Sequence, residues 1–391
     1  MPIDLEFSLS TGLSRRALLR RSVAATAALS LPSKLLALEA ESINVSPESL
    51  ERVAGVFATN PIVDFHTHIG IWQNTGLDNS AKGIPPVTAE KFASNVQEYL
   101  DAGVNCIYLD TISDIARTRI GQPGNKDRDF EGDEAWDEYQ RQYALMMGFL
   151  KDSPMSPVTA ADTIEKINAR GELAVILSTE GAHMVEDSPA RLKVLYKHGL
   201  KRLQPIHYVA STLGDSQTDP EVYGGLSSLG RQVLEEASEM GMLLDMAHAS
   251  QKVVEQTVDL VDRPLALSHT MVKYNSASFG DYRSTRSRWI SPEHARLIAD
   301  TGGVVGTFPI QAPYGVSYLN EFVEALKVMV DTVGVDHVAW STDLGEPVRP
   351  AFLQSYLQFP RVCAKLLESG FSDSDLAKFA GGNALRVQAA A

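Results

Sequence analysis

From residue 60 onward, short apolar runs rich in β-branched residues recur along the chain, each followed by a longer stretch with helical periodicity. Eight such runs, at 62–66, 104–109, 173–177, 200–204, 242–246, 265–268, 304–308 and 338–341, predict eight strands. Amphipathic stretches at 89–102, 190–198, 228–240, 292–300 and 318–333 predict helices between them. Gly103, Gly199, Gly241 and Gly302 stand just before the next strand, where a left-handed residue ends a helix. Parallel strands need crossovers, and these helices supply them. Eight is the closure number of the TIM barrel, so the expected fold class is α/β, a (β/α)8 barrel. The segment 118–156, rich in Gly and charge and then helical, reads as an inserted loop and helix after strand 2, forming a lid or wall. Residues 46–59 read as a helix packed outside the barrel.

A length of 391 residues fits one large barrel or two to three smaller domains, and the alternating pattern favours the barrel. The first forty residues differ. Ser14 to Arg21 is basic, with adjacent Arg15 and Arg16, and a small apolar run follows at 23–31. That layout is an export signal of twin-arginine type over 1–40, which predicts a periplasmic protein whose single domain spans 41–391. The apolar run is too short to span a membrane. A formal net charge of -14 argues against a nucleic-acid binder, which needs a basic face for phosphates. Two cysteines, Cys106 and Cys363, are too few for a Cys-rich zinc module or a disulfide framework, and both fall in apolar segments as expected free, inert thiols.

The histidines cluster at strand ends. His66 and His68 close strand 1 in Asp64-Phe65-His66-Thr67-His68, His207 follows strand 4, His248 follows strand 5 and His269 follows strand 6. Glu180 ends strand 3 and Asp343 ends strand 8. Strand C-termini form the mouth of a TIM barrel, so these seven side chains would converge there. Residues i and i+2 share a strand face, which lets His66 and His68 reach one ion. Burying so many imidazoles and carboxylates together would cost several kcal/mol without a metal, and four His with a carboxylate suit Zn(II). Asp110, which ends strand 2, is expected to support the ligands, and His183 to pack beneath the mouth.

The chain resembles the membrane (renal) dipeptidase family of zinc metallopeptidases, a branch of the amidohydrolase-type metallohydrolases. The resemblance runs from about Pro61 to Val387. It rests on Ser178-Thr179-Glu180-Gly181-Ala182-His183, Leu244-Asp245-Met246-Ala247-His248-Ala249-Ser250, Leu267-Ser268-His269, Ser341-Thr342-Asp343 and Gly381-Gly382-Asn383-Ala384-Leu385-Arg386. It implies two zinc ions bridged by Glu180, one held also by His66 and His68 and the other by His248 and His269. It further implies that His207 stabilises the oxyanion, that Asp343 handles the proton, and that Arg288 grips the substrate's terminal carboxylate, with Arg283 and Arg286 as nearby alternatives. His68 departs from the family, which usually carries Asp there, so the expected site has one more positive charge and either a tilt toward substrates bearing an additional anion or a weaker neighbouring zinc. The implied activity is hydrolysis of short peptides with a free C-terminal carboxylate. The expected partners are a small peptide and, as a homodimer, a second copy of the chain. Another amide or lactone hydrolase, a peptide natural-product maturation enzyme and a non-catalytic metal-binding protein stay open on the residues alone.

Overall fold

The computed structural model describes residues 40–71, 87–119, 123–186, 188–274, 288–310, 316–344 and 349–391, all within one unit at 37–391. The expected export signal, apart from residue 40, lies outside the described residues, as do Arg283 and Arg286.

Nine strands are present among the described residues: β1 Val63–Thr67, β2 Cys106–Ile112, β3 Met155–Pro157, β4 Leu173–Glu180, β5 Arg202–Leu203, β6 Leu243–Leu244, β7 Ala266–Leu267, β8 Val304–Gly306 and β9 Val338–Ala339. Eight coincide with the expected runs. The ninth, β3, belongs to the insertion and pairs in parallel with the start of β4. All ladders are parallel and form two sheets, β1-β2-β4-β5-β6 and β7-β8-β9. Two seams join them into a ring. Asp245 bridges to Ala266 between β6 and β7, and Thr67 bridges to Leu344 between β1 and the segment after β9. Amides of Phe65, His68 and Asp343 donate to carbonyls of Trp340, Leu344 and His66 along the second seam.

Every residue of β1, β2 and β4 is buried, as parallel strands covered on both faces must be. Val63, Phe65, Cys106, Tyr108, Ala174, Ile176, Leu243, Ala266, Val304 and Ala339 fill the barrel interior. A larger apolar layer lies between the ring and its helices. Those helices start where a hydroxyl caps them. Ser46, Thr88, Ser227, Ser250 and Ser291 each accept from the amide three residues on. They stop as expected: Gly103, Gly199, Gly241 and Gly302 all have φ between +77° and +92°.

The insertion is a wall rather than a free loop. Its helix, Glu134–Asp152, places the Gln142 amide against the end of β2, where it bonds both the N–H and the C=O of Ile112 at 2.8 Å. The C-terminal Gly-Gly-Asn motif locks the last helix to the barrel. Asn383 Nδ2 donates to Val335 O and Val338 O at 2.7 and 2.8 Å, while a Cβ on Gly381 would collide with Pro61 O. Gly381→Ala is therefore expected to destabilise the fold by about 1–3 kcal/mol, the usual cost of forcing an extra carbon into a packed site. A urea unfolding midpoint unchanged from wild type would show that the backbone there yields freely.

Candidate metal centre

Alternation along the strands delivers most of the site. Ser178 and Glu180 continue the inward row of Ala174 and Ile176 on β4, and Asp110 continues that of Cys106 and Tyr108 on β2. Strand β1 needs a further device. Its register against β2 shifts between Asp64 and Thr67, so Val63 and Phe65 line the interior while His66 and His68, of opposite parity, reach the mouth. His248 and Asp343 sit in left-handed backbone, at φ +65° and +50°. Gly181, at φ +76°, turns the chain after Glu180 where a Cβ would strike Ser113.

Glu180 is the centre of the cluster and is 2% exposed. Its Oε1 lies 3.1 Å from His248 Nε2 and 3.2 Å from His269 Nε2. Its Oε2 lies 3.1 Å from His68 Nε2 and 3.3 Å from His207 Nε2. The Nε2 atoms of His66 and His68 are 2.9 Å apart, and those of His248 and His269 are 3.0 Å apart. Asp343 Oδ1 stands 3.4 Å from His66 Nε2 and 3.2 Å from His68 Nε2. The fold thus brings together His66, His68, Glu180, His207, His248, His269 and Asp343.

The donor set fits metal. Bonds of ~2.0–2.1 Å to a tetrahedral zinc place neighbouring donor atoms about 3.3 Å apart, close to the spacings seen here. Three groups of donors converge with their ligand atoms within 4.8 Å of one another: His66, His68 and Asp343; His66, Glu180 and His269; and Glu180, His207 and His248. The far sides of four of the five rings are anchored so that Nε2 faces inward, whereas the buried Nδ1 of His248 has no hydrogen-bond partner among the described residues. His207 Nδ1 meets Asp114 at 2.5 Å, His269 Nδ1 meets Ser268 Oγ at 2.8 Å, and His68 Nδ1 meets Asp110 O at 3.3 Å. His66 Nδ1 lies 3.2 Å from Asp110 Oδ2. Such anchoring of the second ring nitrogen is characteristic of histidine ligands.

Charge follows the same geometry. Burial works against a proton on His66, but the Asp110 carboxylate beside it prevails and pushes the ring up to about 9. His68 is likewise raised, by Glu180 and Asp343. Burial pulls His269 down to about 4 and His248 well below the ordinary range. Glu180 and Asp343 stay ionised despite burial because imidazoles surround them.

A family model for membrane dipeptidase, peptidase family M19, matches residues 97–391. The chain belongs to the membrane dipeptidase family. Among its relatives, a dipeptidase of Claviceps purpurea is 26% identical over 235 residues, 58% of this chain and 53% of that protein. The chain spans about half the length of several of the curated dipeptidases it matches. The structure of the probable dipeptidase PvdM from Pseudomonas aeruginosa superposes with TM-score 0.71 at 19% identity, covering 88% of this chain and 99% of that one. A Rhodobacter sphaeroides metallo peptidase, solved with a phosphinate mimic of the dipeptide L-Ala-D-Ala, gives TM-score 0.67 at 16% identity over 85% and 99% of the two chains. A membrane dipeptidase fold carries a metal cofactor, and the described donor clusters are where this member can hold it.

Other sequence expectations can be located. Asp110 lies against the His66 ring, its Oδ2 3.2 Å from Nδ1. His183 packs below the mouth, Nδ1 on Ser113 Oγ and Nε2 on Val209 O. Cys106 and Cys363 are buried and free. Arg288, 2% exposed, donates Nη1 to Gln217 Oε1 and Nη2 to His269 O. Sequence reading missed Asp114, which orients His207, and Arg202, whose guanidinium lies beneath the cluster against Asp110. A lone arginine in the apolar run 200–204 was the available signal, since a buried cation needs built partners.

Asp110 pushes the His66 ring up to about 9, which favours its protonated form in the metal-free protein at pH 7. A cation must displace that proton, so affinity should fall as pH falls. Titration calorimetry in two buffers of different ionisation heat should register release of at least about one proton per chain on zinc uptake. Heats independent of buffer would mean the histidines were already neutral.

Proposed function

We propose that this membrane dipeptidase family member is a two-zinc enzyme hydrolysing the amide bond of short peptides with a free C-terminal carboxylate. The observation that carries the reading is Glu180, whose two oxygens face different histidines, Oε1 towards His248 and His269 and Oε2 towards His68 and His207. His66 and His68 would hold one zinc, His248 and His269 the other, with Glu180 shared. When bound, such a pair supplies a nucleophile from water near neutral pH and polarises the scissile carbonyl.

The chain's own residues divide the remaining work. Asp343 is the acid of the cluster with most access to solvent, its side chain 18% exposed, and it starts ionised. It accepts the proton of the attacking water and delivers it to the leaving amine. His207, braced by Asp114, presents Nε2 to the developing oxyanion. Arg288 has two of its nitrogens engaged, and its Nε is without a hydrogen-bond partner among the described residues. The planar guanidinium fork of an arginine suits a substrate carboxylate. The curated relatives named as dipeptidases, and the dipeptide mimic in the Rhodobacter protein, support the substrate class.

Elemental analysis of purified protein should find about two zinc ions per chain, and a panel of dipeptides and N-acyl amino acids should show turnover confined to substrates with a free carboxylate. Asp343→Asn should keep most of the metal yet lose ~100-fold to 10,000-fold in turnover. His248→Ala should lose metal and activity together. Wild-type turnover in Asp343→Asn would remove its proton role, and zinc near one per chain that is unchanged by Glu180→Ala would remove the two-metal reading.

Export of the folded chain to the periplasm through Arg15 and Arg16 belongs to the same reading, as does assembly into a homodimer, which light scattering reads directly. Replacing both arginines by lysine should retain active protein in the cytoplasm. Undiminished export would point to another signal.

A further inference from the structure

The mechanism above leaves Arg202 unused. It projects from β5 into the barrel interior, fully buried, between the apolar floor and the metal cluster. Its guanidinium lies over the rings of Tyr108 and Phe65, 4.7 and 5.2 Å from their centres. Nη2 donates to both oxygens of Asp110, at 2.9 and 2.7 Å, and sits 2.8 Å from His66 Nδ1. Nη1 donates to the carbonyl of Phe65, the residue before His66. On the other side, Nε lies 3.3 Å from Asp245 Oδ2, an ion pair without hydrogen-bond geometry.

Asp245 carries the connection onward. Its Oδ1 accepts from the amide of Ala247 at 3.1 Å and from the amide of Ser268 at 2.9 Å. These are the residues immediately before His248 and His269. One planar cation is therefore joined through Asp110 and the Phe65 carbonyl to the His66 side of the cluster, and through Asp245 to the turns that aim His248 and His269.

We propose that Arg202 is a positioning residue that sets both halves of the metal centre at once; this rests on the two-zinc reading. Two carboxylates buried away from water would each be costly without a partner, and Arg202 compensates both while fixing where they point. A lysine would keep the charge but offers a single compact ammonium, which cannot grip Asp110 and the Phe65 carbonyl and still face Asp245. A purely structural arginine would affect melting alone. A positioning arginine affects metal affinity at both sites in protein that remains folded.

The test compares wild type, Arg202→Lys and Asp245→Asn as full chains, reading stepwise zinc affinities by competition with a chromophoric chelator and the melting of metal-free protein. Arg202→Lys should weaken both binding steps by about 10- to 100-fold, the usual effect of removing a partner behind metal ligands. Asp245→Asn, which keeps an amide oxygen for the two N–H groups but drops the charge facing Arg202, should weaken mainly one step. Wild-type affinity at both steps in Arg202→Lys, or one weakened step only, overturns the proposal. If Arg202→Lys does not fold, Asp245→Asn decides: a weakened step with unchanged melting supports it, and two unchanged steps overturn it. A wild-type chain that takes up no zinc instead overturns the two-zinc reading and leaves the fold's own use of Arg202 as packing.

Discussion

Five imidazoles and a carboxylate share a space nearly closed to water, and balancing their charges governs the barrel around them. Glu180 is ionised at the centre, so everything within reach must be a donor, a cation or a group made neutral by burial. The outcome is uneven. Carboxylates push the rings nearest Asp110 and Asp343 toward the protonated form, while burial pushes His248 and His269 toward the neutral one. Those carboxylates are what a cation would find on the first side. Beneath the cluster the same requirement recurs one layer down, where Arg202 faces Asp110 and Asp245 at the boundary with the apolar interior.

The backbone bends to serve this arrangement. His248 and Asp343 occupy left-handed conformations that cost a non-glycine residue on the order of 1–3 kcal/mol each. Each is held from both sides. The carbonyl of His248 accepts from the Gln217 amide, and two residues later Ser250 caps the helix Gln251–Val258. Asp343 donates its amide to His66 O, and its neighbour Thr342 is bound through both N–H and hydroxyl by Asp64. Burial raises Asp64 to about 7, and its hydrogen bonds from Thr342 and Tyr356 partly oppose that rise.

Much of this was legible in the chain. Eight apolar runs, the glycines that end the helices and the chemistry-bearing residues at strand ends pointed to one barrel and one mouth, because strand periodicity and the direction of parallel strands are local properties. Residues linked only through tertiary geometry were not legible. Nothing near Asp114 marks it as the partner of His207, 93 residues away. Alternation alone would have turned His66 away from Phe65's side of the sheet, and only the register shift in β1 reconciles the two. Strand β3 escaped notice because three residues, one of them Pro157, leave no alternation to read.

The ring of strands is not uniformly sewn. Its two sheets meet at seams made of single bridges, between β6 and β7 and between β1 and the segment following β9. His248 and His269 stand on opposite lips of the first seam, and His66 and Asp343 on opposite lips of the second. An ion shared by either pair would act as a clasp across its seam. Opening fluctuations of the empty barrel should therefore concentrate along these two lines, and amide exchange at Met246 and Phe65, which donate across them, should slow most when the clasps are closed.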